Sequence, residues 1–106
     1  MSRARIFVEG KVQGVYYRES TRLKGTGLGL TGAAWNLKDK RVEILAEGPR
    51  QAIEALLAWC HKGPEGAAEV GMTDPLTKKR RVTKVQVEWL TDGPPEHKDF
   101  ANGGKK

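Results

Sequence analysis

A chain of 106 residues has room for one hydrophobic core and, with it, one site. Nineteen Lys and Arg against thirteen Asp and Glu leave a net charge of +6, and the excess is local: Lys78, Lys79, Arg80, Arg81, Lys105 and Lys106 account for all of it. Basic runs of this kind are expected to be solvated loops or tails, which argues against nucleic acid as the main partner.

"MSRARIFVEG" carries no apolar leader, and no later window is long and apolar enough to cross a bilayer, so a soluble, cytoplasmic protein without membrane contact is expected. Within it, "RARIFVEG" alternates, with Ala4, Ile6 and Val8 on one face and Arg5, Phe7 and Glu9 on the other, the period of a half-buried strand ending at Gly10. Residues 17–28 read as a helix whose inward row is Thr21, Gly25 and Leu28. Gly25 costs that helix roughly 1 kcal/mol relative to alanine, which a close approach of helix to sheet would offset.

"LTGAAWNL" and "RVEILAEG" are two further strands, joined through "KDK" as a hairpin. Val42, Ile44 and Ala46 point one way; Glu43, Leu45 and Glu47 point the other, outward. In "GPRQAIEALLAWCHKG", Pro49 starts a helix, Ile53, Leu56, Leu57 and Cys60 form its apolar row, and Gly63 stops it. Cys60 is the only cysteine, so no intramolecular disulfide exists, and its place in that row predicts a small buried hydrophobe. "VTKVQVEWL" alternates as a fourth strand with Val85, Val87 and Trp89 inward. "HKDFAN" adds at most a short edge strand, and residues 102–106 read as a disordered tail after a domain spanning 1–101.

The order is β-α-β-β-α-β: an α+β, ferredoxin-like two-layer sandwich, its antiparallel sheet ordered 4-1-3-2 with both helices on one face. In that arrangement strands one and two are parallel, so their C-terminal ends share one edge. The loop "GKVQGVYYR" after strand one and Asn36 at the end of strand two should meet there.

A strand running through a glycine turn into a helix leaves several amides without helical partners, aimed at one concavity that favours an anion. Val12, Gln13, Gly14, Val15, Tyr16 and Tyr17 are the candidate donors, Gly14 permits a positive φ, and Arg18 adds a planar fork suited to two phosphate oxygens. No Gly-Lys-Ser/Thr follows, so a magnesium nucleotide is not implied. Asn36 offers a neutral amide that both donates and accepts, and can hold a water against an anion. Neither His61 nor His97 is expected near the loop.

These residues resemble the acylphosphatase family. The likeness rests on "GKVQGVYYR", then "GLTG", Asn36, "DKRVEILAEGP" and "CHKGPEGA". The resemblance implies an enzyme that hydrolyses the carboxyl-phosphate bond of acyl phosphates to carboxylate and inorganic phosphate without a metal; a monomer with no cofactor is expected, and phosphate, as product and natural occupant of the amide hollow, is expected to inhibit. It makes Arg18 the phosphate-binding arginine and Asn36 the residue that positions water. A phosphate-binding module without turnover, or a nucleic-acid-binding module on the same fold, is the competing reading; the outward Glu43, Leu45 and Glu47 speak against base stacking on the sheet. Three departures from the family pattern stand out: Trp35 shifted by two within its strand, Lys40 in place of a hairpin glycine, and an inserted basic loop at residues 68–80. The insertion is expected to be a neutral excursion, because loop closure costs little extra as loops lengthen.

Overall fold

The computed structural model describes all 106 residues. Strand β1 (Ser2–Lys11) is followed by helix α1 (Tyr17–Gly27), strands β2 (Thr31–Asn36) and β3 (Val42–Gly48), and helices α2 (Arg50–Cys60) and α3 (Pro64–Glu69). A 3-10 turn (Pro75–Lys79) leads into β4 (Arg81–Trp89), and β5 (Phe100–Lys105) closes the chain. The sheet order is β4-β1-β3-β2-β5, so the expected 4-1-3-2 arrangement is present and extended by one strand. No helix is long and apolar enough to cross a membrane.

Alternation in β1 and β3 sends Ala4, Ile6, Val8, Val42, Ile44 and Ala46 to the helix side, where they meet Ile53, Leu56, Trp59 and Cys60 of α2 in one core. Burial pushes the Cys60 thiol up to about 12, which makes it the inert hydrophobe expected. Gly25 is needed for a reason of shape: a Cβ there would collide with the Phe100 ring, which packs against α1 from the edge strand.

Four expectations are corrected. The sheet is mixed rather than antiparallel, because β5 runs parallel to β2, with Gly32 opposite Phe100 and Asn36 opposite Lys105. Residues 102–105 therefore lie in a strand, not a disordered tail. Gly103 allows this by passing against the Trp35 indole where any side chain would clash.

The outward face of β3 is also covered. Residues 90–99 cross from β4 at one edge to β5 at the other, and the Glu96 and His97 amides donate to the Glu47 carboxylate at 2.7 and 3.1 Å. Arg3 reaches Glu47 and Glu96, while Lys106 and Arg5 close over Glu43 at 3.0 and 3.2 Å. Glu43, Leu45 and Glu47 all end up buried, which removes the open sheet surface that a stacking nucleic-acid binder would use.

Finally, the basic run is not uniformly solvated. Arg80 is only 4% exposed: its guanidinium lies 4.6 Å from the Tyr17 ring centre and donates to the Ser20 hydroxyl at 2.9 Å. Burial draws its pKa below the ordinary guanidinium value. Lys78, Lys79 and Arg81 remain exposed.

Candidate active site

The loop between β1 and α1 is held by what it buries. Val12 and Val15 sink into the core and Tyr17 follows, its hydroxyl donating to the Cys60 carbonyl at 2.8 Å. Gly14 at φ 76° and Tyr16 at φ 61° turn the chain through left-handed conformations between these anchors. That geometry is natural for glycine and strained for tyrosine, a strain the flanking buried side chains over-determine.

The turn leaves its amides unused. Helix α1 has no side-chain cap, its first backbone bond is Ser20 N–H to the Tyr16 carbonyl at 3.0 Å, and no amide of residues 12–19 donates to an acceptor of the chain. Partial positive charge from these groups and from the helix start is concentrated on one hollow.

Asn36 enters from the neighbouring element. Its backbone is fixed on both sides, paired with Val42 of β3 and accepting the Lys106 amide at 2.9 Å. Its side-chain oxygen is buried without a hydrogen-bond partner. Gln13 ties the loop to the same hairpin, donating from Nε2 to the carbonyls of Leu37 and Arg41 at 2.9 and 3.0 Å.

One cleft of about 370 Å³ gathers Val12, Gly14, Tyr16, Tyr17, Arg18 and Asn36. Two of the expected residues do not line it: Val15 is a core anchor, and the Gln13 side chain is turned to the hairpin. Glu19, Leu76 and Asn102 complete the wall. The Glu19 carboxylate is engaged by Arg22 at 2.7 Å, a hydrogen bond that holds its pKa below the usual range. Leu76, 41% exposed, comes from the segment expected to be a neutral excursion.

Asn102 is the residue that sequence reasoning missed. Its side-chain oxygen accepts from Arg18 Nη1 at 2.7 Å. The one available signal was that Asn102 and Asn36 are the only asparagines in the chain, but a glycine-rich, basic end hides a strand. No group of three or more His, Cys, Asp or Glu side chains is arranged so that it could hold a metal ion.

The family model described as Acylphosphatase matches residues 4–75. An acylphosphatase of Methylococcus capsulatus is 50% identical over 72 residues, covering 68% of this chain and 78% of the relative. One from Marinobacter nauticus is 57% identical over 67 residues, covering 63% and 73%. Among solved structures, an acylphosphatase from Coxiella burnetii superposes with a TM-score of 0.76 at 34% identity, over 95% of this chain and 90% of that one. The Bacillus subtilis acylphosphatase gives 0.72 at 28% identity, over 96% and 98%. The sequence match and the shared architecture agree, and the chain belongs to the acylphosphatase family.

Proposed function

We propose that the cleft hydrolyses small acyl phosphates without a metal ion, and that Arg18 and Asn36 divide the work. The free amides of the loop and the Arg18 guanidinium bind the phosphoryl oxygens and stabilise charge on them as the bond to the leaving group lengthens. Asn36 holds the attacking water. The water oxygen forms the new P–O bond, the bond from phosphorus to the acyl oxygen breaks, and the water proton passes to a phosphoryl oxygen. A carboxylate leaves readily, so no general acid is needed. Inorganic phosphate, which fits the same hollow, is a competitive inhibitor. The protein acts as a monomer in a reducing compartment such as the cytoplasm, where Cys60 stays a thiol.

The observation that carries this reading is the shared cleft: one cation, a set of amides with no acceptor in the chain, and an asparagine with an unpartnered buried oxygen line the same hollow.

The test compares Arg18→Ala with Asn36→Ala on benzoyl phosphate, in excess chelator throughout. Wild type should turn over at its full rate, and activity recovered only with added metal would overturn the metal-free route. Arg18→Ala should weaken both phosphate affinity and turnover, by at least the ~1.5–3 kcal/mol of a charged hydrogen bond. Asn36→Ala should leave phosphate inhibition within a few-fold and cut turnover by on the order of a hundredfold. Equal damage to phosphate binding by both would make Asn36 a ligand of the anion instead.

A further inference from the structure

The inserted segment brings Leu76 to the cleft and is built to hold it there. The Asp74 carboxylate accepts the Leu76 amide at 2.9 Å, and the Thr77 hydroxyl donates to the Asp74 carbonyl at 2.7 Å. Thr77 and Arg80 are both buried, so the turn between them is anchored by two side chains that point inward. Arg80 docks on the start of α1, over the Tyr17 ring and on the Ser20 hydroxyl. The turn that carries Leu76 is thereby fastened to the same helix start that presents Arg18.

Four large apolar side chains of the chain are exposed, Met1, Tyr16, Leu76 and Val87, and two of them, Tyr16 and Leu76, line this one cleft. Exposed apolar residues scattered singly need no explanation, but two that meet at a site do. The loop amides and Arg18 serve the phosphoryl end of a substrate. The cleft, at about 370 Å³, is in the range of small-molecule sites and so has room for more than that end.

We propose that Leu76 is a specificity-determining residue: with Tyr16 it gives the cleft an apolar wall for the acyl group, favouring acyl phosphates with a bulky apolar body, aromatic or branched, over acetyl phosphate. The proposal rests on the cleft being the acyl phosphate site. The phosphoryl end is the same in every such substrate, so discrimination falls to whatever meets the carbon side of the bond. The Leu76 side chain has no charge and no hydrogen-bonding group, and responds only to apolar surface. A phenyl ring laid against it takes apolar area out of water, whereas an acetyl methyl covers little. The contact is the same in the ground state and the transition state, so it belongs in KM rather than in kcat.

The test compares benzoyl with acetyl phosphate in the wild type, Leu76→Ala and Leu76→Met. Intrinsic reactivity cancels when the ratio of the two kcat/KM values is compared between proteins. Leu76→Ala should lower kcat/KM for benzoyl phosphate about tenfold, through KM, and that for acetyl phosphate by no more than about twofold. Leu76→Met keeps the apolar bulk and should hold the ratio within about twofold of wild type.

Calorimetry with phenacylphosphonate and acetonylphosphonate, in which a methylene replaces the bridging oxygen, reads the same preference without turnover. The first should bind wild type more tightly than the second, and Leu76→Ala should remove most of the difference. Failure of the wild type to hydrolyse either acyl phosphate counts against the proposed function, whereas absence of the phosphonate preference, or its survival in Leu76→Ala, counts against Leu76. Parallel losses on both substrates that follow the variant's unfolding temperature would make Leu76 a structural residue and overturn the proposal. So would a benzoyl-to-acetyl ratio in Leu76→Ala within about twofold of wild type.

Discussion

Lys40 occupies the hairpin between β2 and β3 at φ 74°, a left-handed conformation that crowds any Cβ. The sequence makes the position legible as a departure, because lysine stands where a turn of this kind favours glycine. Lys40→Gly removes a steric cost of roughly 1–2 kcal/mol and gives back part of it through the freer unfolded chain, so urea denaturation should show a net gain of about 0.5–1 kcal/mol at unchanged m-value. An unchanged or lower midpoint would mean that the lysine stem contributes packing worth as much as the strain. Arg18 and Asn36 are legible for a different reason, since each has an unusual chemistry at a place where the pattern changes period. Arg80 is not. It sits in a run of four basic residues, and nothing in its neighbours distinguishes the one that turns inward over Tyr17.

At the scale of elements, the first four strands and two helices follow from alternation and from the apolar row of α2, while β5 follows only in part, as a short edge strand at residues 97–102 whose place in the sheet and extension to Lys105 are not announced. Its partner lies across the sheet from β4, and the crossing segment has no periodicity to announce where it lands. What pins that segment is Glu47. Burial alone raises this carboxyl, but hydrogen bonds from the Glu96 amide, the Thr31 hydroxyl, and the His97 amide and ring outweigh it and hold the pKa below the usual carboxylate range. A group depressed in the folded state contributes stability that is complete above its unfolded value, about 4.3, and is lost as pH falls through the folded one. Unfolding free energy should therefore decline as pH is lowered below about 4.3, and Glu47→Gln should decline less steeply over the same range. Equal slopes in the two proteins would show that the acid sensitivity resides in other carboxylates.

Across the whole molecule, the +6 charge is less concentrated in the loop before β4 than the sequence implies, because folding brings Lys38, Lys40, Lys105 and Lys106 together around a second cleft of about 500 Å³ that shares Asn36 with the first. Lys106 pairs with Glu43, and no carboxylate lines that cleft. A dianionic substrate approaching this edge meets a positive field that salt weakens over about 8–10 Å. The kcat/KM for benzoyl phosphate should fall several-fold between low and about 0.5 M ionic strength with little change in kcat, and combining Lys38→Gln, Lys40→Gln and Lys105→Gln should flatten that dependence. A salt-independent kcat/KM in the wild type would assign these lysines no part in capture. The same parallel strand has a practical side. Lys106 lies beside the cleft, whereas Met1 lies at the opposite end of β1, about seven strand residues or roughly 20 Å away. A linker, label or fused segment joined directly after Lys106 would hang over the site and perturb the very contacts an assay sets out to measure, whereas a label on the Met1 side of β1 would lie clear of them.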